Sequence, residues 1–390
     1  MSQESHHFSG YLAGVGESIH VEIEITGGRI QSMRYEPQAK AGDHNSRIWI
    51  LPSVWDIQTN GRWGISFSDA DISVQQVIQI VRAQPGLGTT RLLPTLITAS
   101  REGFRHGVAT IAEACNADPL VDRMIAGIHL EGPAISERDG FRGAHPKEHV
   151  RDWTLTELCD LQEASGGRIR LITLAPERSG SMEFIRSACA AGIVVSIGHT
   201  AASADQIESA VAAGARLSTH LGNGIVAELP RHPNQIWAQA ANDRLSASLI
   251  CDGHHIGRDF IRVISRAKTL DRLILVSDHS PLAGMPVGTY GAWAVDPSGK
   301  VVVADTPYLA GSNQNLPEGL SNLMAATGWD FATAANTVSR NPAKLLNAEV
   351  PSLGIGDLWE GSIWAVDETG PCPEIKVLET WIQGTRFQSD

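Results

Sequence analysis

Cysteine is scarce in this chain and shows no pairing pattern. Cys115, Cys159, Cys189, Cys251 and Cys372 are spread over 390 residues without a CxxC. An odd, scattered set excludes a disulfide framework and a thiolate zinc site, so these thiols are expected to be reduced and structural. Positive charge is also short. With 31 basic against 43 acidic residues the net charge is −12, which disfavours a phosphate backbone or an anionic membrane surface as partner. No nucleic acid and no membrane are expected. No uncharged run approaches the roughly eighteen residues of a membrane helix, and MSQESHHFSG lacks the charged start and apolar centre of a secretion signal. The expected location is cytoplasmic.

What is present is a chain of 390 residues, 42% of them hydrophobic, with 38 glycines, enough for one large core and a smaller unit. Its two ends have one texture. HFSGYLAG, SIHVEIEITGG and RIQSMRYEP at the start, and SIWAVDE, EIKVLETWIQG and TRFQ at the finish, read as short strands broken by Gly and Pro, with the polar stretch AKAGDHNS after the first group. Residues 1–50 with 349–390 are therefore expected to form one small β-sandwich domain. Between them, over residues 51–348, eight strand candidates alternate with helical patterns: WILPSVWDIQ, RLLPTLI, MIAGIHLE, IRLITLAPE, IVVSIGH, ARLSTH, LSASLICDG and RLILVSD. Ser181 and Ser203 are candidate helix caps. Eight strand-then-helix repeats, with no GxGxxG after the first, favour a closed (β/α)₈ barrel of the TIM type over an open dinucleotide-binding sheet. GTYGAWAVDPSGKVVVADTPYLAGS after the eighth strand reads as a hairpin excursion.

Four polar residues stand where the apolar runs end: Glu131, His199, His220 and Asp278. In such a barrel the reacting groups sit at the C-terminal ends of the strands, where loops vary without disturbing the packed interior. One lone His or Glu after a strand is more often a loop hydrogen-bonder than a ligand. Four at different strand ends converge, and two imidazoles with two carboxylates suit one divalent metal and one general base. That set fits amide hydrolysis, because a divalent ion lowers the pKa of a water to about 7 and a poised carboxylate shuttles the proton.

The same residues carry a resemblance. GIHLEGPAIS followed by GAHP, then TLAPE, SIGHT, STHLGNG, DGHHI, LVSD, LAGS and NPAKLLN, between about Leu51 and Asn347, resemble the motifs of the N-acetylglucosamine-6-phosphate deacetylase family of the amidohydrolase superfamily. The resemblance implies a metal-dependent hydrolase that releases acetate from an N-acetyl amino-sugar phosphate. Matched by position, Glu131, His199 and His220 would be metal ligands and Asp278 the base. His145 would polarise the scissile carbonyl, and Gln58, Asn60, Asn223, Gly224, Arg231 and His255 would contact substrate, with Arg231, Asn223 and the Gly224 amide at the phosphate. Many amidohydrolases read His-x-His on the first strand, whereas this chain reads Gln58-Thr59-Asn60. Neutral amides compete poorly for zinc, so one ion per subunit is expected, zinc first and Fe²⁺, Mn²⁺ or Co²⁺ as alternatives. In the family the arginine can come from a second subunit, which implies a homodimer.

The chain departs from the family where the sugar would sit. It has HLGNGI in place of HLFNAM or HLYNAM, SDHSPLAG after the base, and Asn313-Gln314-Asn315 after LAGS. An unphosphorylated N-acyl sugar or another amide is the alternative substrate. A catalytically silent sugar-binding protein on the same scaffold is the alternative from another class.

Overall fold

The computed structural model describes residues 4–14, 19–36, 46–306, 308–349 and 353–389. Nearly all of the polar stretch after the first strand group, 39–45, and residues 1–3 and 350–352 lie outside the described residues.

Eight strands form one parallel sheet: β1 Trp55–Thr59, β2 Arg91–Ile97, β3 Ile128–Glu131, β4 Ile169–Leu174, β5 Val194–Ile197, β6 Leu217–Ser218, β7 Ser246–Leu249 and β8 Leu273–Leu275. They pair in chain order, and the sheet closes where the Asp278 N–H donates to the Gln58 carbonyl (3.0 Å) and the Asn60 N–H to the His279 carbonyl (2.8 Å). Strands buried on both faces must be apolar almost throughout. Outward-pointing Leu92, Leu96, Ile128, Leu130, Ile172 and Val195 pack against Val77, Ile80, Phe104, Val108 and Ile111 of the surrounding helices.

The inward positions are layered by the two-residue period of a strand. Leu93, Leu171, Val194 and Leu217 make an apolar floor. One step up lies a hydrogen-bonded belt: Thr95 Oγ1 to His129 Nδ1 (3.3 Å), His129 Nε2 to Thr173 Oγ1 (2.7 Å), Thr173 to Thr219 (2.7 Å), Thr219 to Ser196 (2.5 Å). Burial, first, and the nearby imidazoles push His129 down to about 4, so it sits in this belt as a neutral ring. The rim above it carries Glu131, two residues on from His129.

The chain ends form a seven-stranded sheet, ordered Thr385–Gln388, Glu374–Ile382, Gly361–Asp367, Ser46–Leu51, Ser5–Leu12, His20–Thr26, Arg29–Glu36. Its ladder is unbroken, and its sandwich character comes from folding over. Val21, Ile23 and Ile25 share a core with Trp359 and Trp381, and the Trp359 N–H donates to Gly28 (2.8 Å) while its carbonyl accepts from Gly384 (2.8 Å). Two turns from opposite edges thereby meet.

Several expectations need correction. WILPSVWDIQ is two strands, Ser46–Leu51 in the chain-end sheet and β1 in the barrel, because Pro52 has no N–H to continue a ladder. Ser203 caps its helix in a capping box with Gln206, but the cap before Ser181 is Gly180, and the Ser181 hydroxyl donates instead to the Ala175 carbonyl (3.2 Å). The excursion is a three-stranded meander, Gly288–Tyr290, Trp293–Val295 and Val301–Val303. A helix at Gln235–Ala241, capped by Asn234, follows the loop that holds Arg231 and had no expected counterpart.

Candidate active site

Three of the four strand-end residues have left-handed backbone: His199 (φ 48°), His220 (φ 30°) and Asp278 (φ 47°). Such conformations cost on the order of 1–3 kcal/mol each for residues with a Cβ and persist where the surroundings hold them. Here they turn the side chains off the ends of β5, β6 and β8 into one cavity of about 280 Å³. Glu131 reaches it from β3, followed by Gly132 at φ 93°, where a Cβ would meet Thr98 Oγ1 at 2.1 Å. That collision accounts for the glycine in HLEGP.

His199 Nε2, His220 Nε2 and Glu131 Oε1 form a triangle with sides of 3.1, 2.9 and 3.2 Å. The Phe141 carbonyl lies 3.0 Å from His199 Nδ1. A carbonyl only accepts, so in the neutral ring Nδ1 carries the proton and Nε2 turns a lone pair toward the carboxylate. A carboxylate and a lone pair directed at one buried point repel unless a cation lies between them, and all three ligand atoms fall within 4.8 Å of one another. The donor set therefore fits a divalent ion, which the two imidazoles and the carboxylate would hold at the cavity.

Asp278 stands apart from the triangle. Burial, first, raises it to about 6 against the opposing pull of His220. Asn60 Nδ2 donates to its Oδ1 (2.7 Å) and to the His279 carbonyl (3.1 Å), fixing both the carboxylate and the turn that bears it. Gln58 takes a different place from the one expected. Its Nε2 donates to Glu131 Oε1 (3.2 Å), and the side chain is buried behind the ligand, off the cavity wall. Beneath both, the buried Asp56 accepts from the Ser277 N–H (3.2 Å) and hydroxyl and from the Gln58 N–H (3.4 Å).

His145 lines the cavity, with Nε2 3.8 Å from Glu131 Oε2. Its Nδ1 accepts from the Thr98 N–H (3.3 Å), so Nε2 holds the ring proton and faces the cavity as a donor. Asn223, Gly224 and His255 line it as well. The Asp252 carboxylate orients His255 at Nδ1 (2.7 Å) and accepts both the His254 and His255 N–H groups. The β7 ladder has already ended at Leu249, so a turn, and not strand alternation, sends His255 rather than His254 to the cavity. Arg231 is not brought there. It is exposed on the loop before Gln235–Ala241, and among the described residues no Lys or Arg lines the cavity.

Sequence reasoning missed the supporting groups: Thr98, the Phe141 carbonyl, Asp252 and the cavity residues Trp293 and Tyr308 of the excursion. Asp252 had a signal, an Asp-Gly turn opening DGHHI. The others had none, since only the closed barrel brings them near the motifs.

The closed parallel barrel, with histidines and carboxylates from its strand ends gathered at one cavity, defines a metal-dependent hydrolase of the amidohydrolase type. No family model matches the chain. It is 33% identical over 351 residues to the N-acetylglucosamine-6-phosphate deacetylase of Bos taurus, covering 86% of this chain and 84% of that one. It is 29% identical over 340 residues to the N-acetylgalactosamine-6-phosphate deacetylase of Escherichia coli O157:H7, covering 86% of each. Among solved structures, a variant of the N-acetyl-D-glucosamine-6-phosphate deacetylase of Mycobacterium smegmatis in complex with N-acetyl-D-glucosamine-6-phosphate superposes with a TM-score of 0.83 at 26% identity, covering 99% of both chains. The chain belongs to the N-acetylglucosamine-6-phosphate deacetylase family.

Proposed function

We propose that this chain hydrolyses the acetamide of N-acetylglucosamine 6-phosphate or a close N-acetyl amino-sugar phosphate, giving acetate and the free amine. The observation that carries this is the Glu131, His199, His220 triangle with Asp278 held separately over the same cavity. Glu131, His199 and His220 would hold one divalent ion, zinc by the preference of an imidazole and carboxylate set; with Gln58 and Asn60 in place of two histidines, no second cluster lies beside it among the described residues. The bound ion supplies Lewis acidity and lowers the pKa of a water to about 7. Asp278 takes the proton of the attacking water and returns it to the amine nitrogen as the C–N bond breaks. His145 donates its Nε2–H to the carbonyl oxygen as negative charge develops there. Asn60 keeps Asp278 aimed, and His255, fixed by Asp252, with Asn223 and Gly224 would bind the sugar.

We place phosphate recognition at a contact between two copies in a cytoplasmic homodimer, with Arg231 extending into the neighbouring copy's cavity. What supports this is that Arg231 is exposed and that, among the described residues, no Lys or Arg lines the cavity. The same observation favours a second reading, an unphosphorylated N-acyl sugar as substrate. Assaying phosphorylated and unphosphorylated N-acetylglucosamine with wild type and Arg231→Ala separates them. Loss of kcat/KM for the phosphorylated sugar alone supports the first reading, and an unchanged value removes Arg231 from the phosphate role.

A further inference from the structure

Beside the metal cavity lies a larger one. A space of about 590 Å³ opens behind a wall of Ser66, Ile97, Pro281 and Trp293, each of which lines both cavities. That wall adjoins the two groups placed on either side of the scissile amide. The Ser66 hydroxyl donates to the carbonyl of Asn60 (3.4 Å), which holds Asp278; Ile97 precedes Thr98, which holds His145; Pro281 is three residues beyond Asp278. Asn223 and Gly224 follow β6, and Ile97 ends β2. In an eight-stranded ring paired in chain order, β2 and β6 face each other across the barrel. A substrate with its sugar toward Asn223 and Gly224, and its carbonyl between His145 and Asp278, therefore points its acyl substituent at this wall.

The outer cavity has the character of an acyl subsite. Ile97, Ala99, Pro146, Leu282 and Trp293 give it apolar sides, and His149 stands at its edge. We infer that the outer cavity receives the distal part of N-acyl groups longer than acetyl, so that the enzyme hydrolyses amino-sugar amides of short alkanoic acids; this rests on the hydrolase reading above. The chemistry is unchanged, with one water added across the C–N bond to give the free amine and the alkanoic acid.

The test uses glucosamine 6-phosphate carrying N-acetyl, N-butyryl or N-hexanoyl groups, scored by free amine. Wild type cleaves the hexanoyl amide with kcat/KM within about tenfold of the acetyl amide. Ala99→Trp, which fills the outer cavity from a position that does not line the metal cavity, lowers the hexanoyl value by about tenfold or more and leaves the acetyl value in place. His149→Trp fills the same space from its edge, and melting curves establish that each variant is folded. Wild type that cleaves acetyl but neither longer amide overturns the inference, as do two folded, filled variants that retain wild-type hexanoyl cleavage. Wild type inactive on all three amides instead removes the hydrolase reading itself.

Discussion

Asp278 is suited to act as a base, separately from the ligands, because burial raises it to about 6 and Asn60 holds one oxygen so that the other is free to take a proton. Asp278→Asn should keep its metal and lose about 10² to 10⁴ in kcat, the usual worth of a positioned general base. Gln58 acts at one remove. Its amide holds the Glu131 oxygen that both histidines address, so Gln58→Leu should weaken metal binding by about 10- to 100-fold in a chelator competition, with Tm little changed. The four strand-end residues were legible because each closes an apolar run. Gln58 was not legible in its actual role. The resemblance implied substrate contact, whereas the Gln58 amide bonds to Glu131 Oε1 and the side chain does not line the cavity.

Strand ends and their turns decide where the chemistry sits. Gly132 follows Glu131 at φ 93° with Thr98 pressed against it, and Thr98 also supports His145. Gly132→Ala should disturb two site residues at once, costing about 1–3 kcal/mol of stability from the backbone conformation alone and lowering activity further by displacing His145. A melting curve and a kcat measured together check this. The glycine of LAGS has a parallel explanation, since a Cβ on Gly311 (φ 72°) would lie 2.9 Å from the Asp278 carbonyl. All eight barrel strands could be read from apolar runs of the right length. The Gln235–Ala241 helix could not, because seven residues after a Pro-rich loop carry too little periodicity to announce it. Arg231 does not line this chain's own cavity, and the sequence carries no sign of which way its loop turns.

At the scale of the molecule, the chain-end sheet is tied to the barrel by a buried carboxylate. Glu360 pairs with Arg91 at the start of β2 and with Arg123 (2.9 Å), and Glu360 and Arg91 are 4% and 6% exposed. Removing one partner of a buried pair strands the other charge, so Glu360→Ala should destabilise by about 3–5 kcal/mol in denaturant unfolding. The pairing of the two chain ends was visible in their shared strand texture; the continuous, folded-over sheet was not, since ladder order between distant segments leaves no mark in either. The central proposal is that this barrel would hold one ion by Glu131, His199 and His220 and deacetylate through Asp278. The most direct measurement is metal content together with free-amine release from N-acetylglucosamine 6-phosphate, for wild type and Asp278→Asn side by side. The account predicts one ion per chain in both proteins and amine release only in wild type, down by about 10² or more in the variant. An Asp278→Asn protein that works at the wild-type rate, or a fully active wild type without metal, would contradict it.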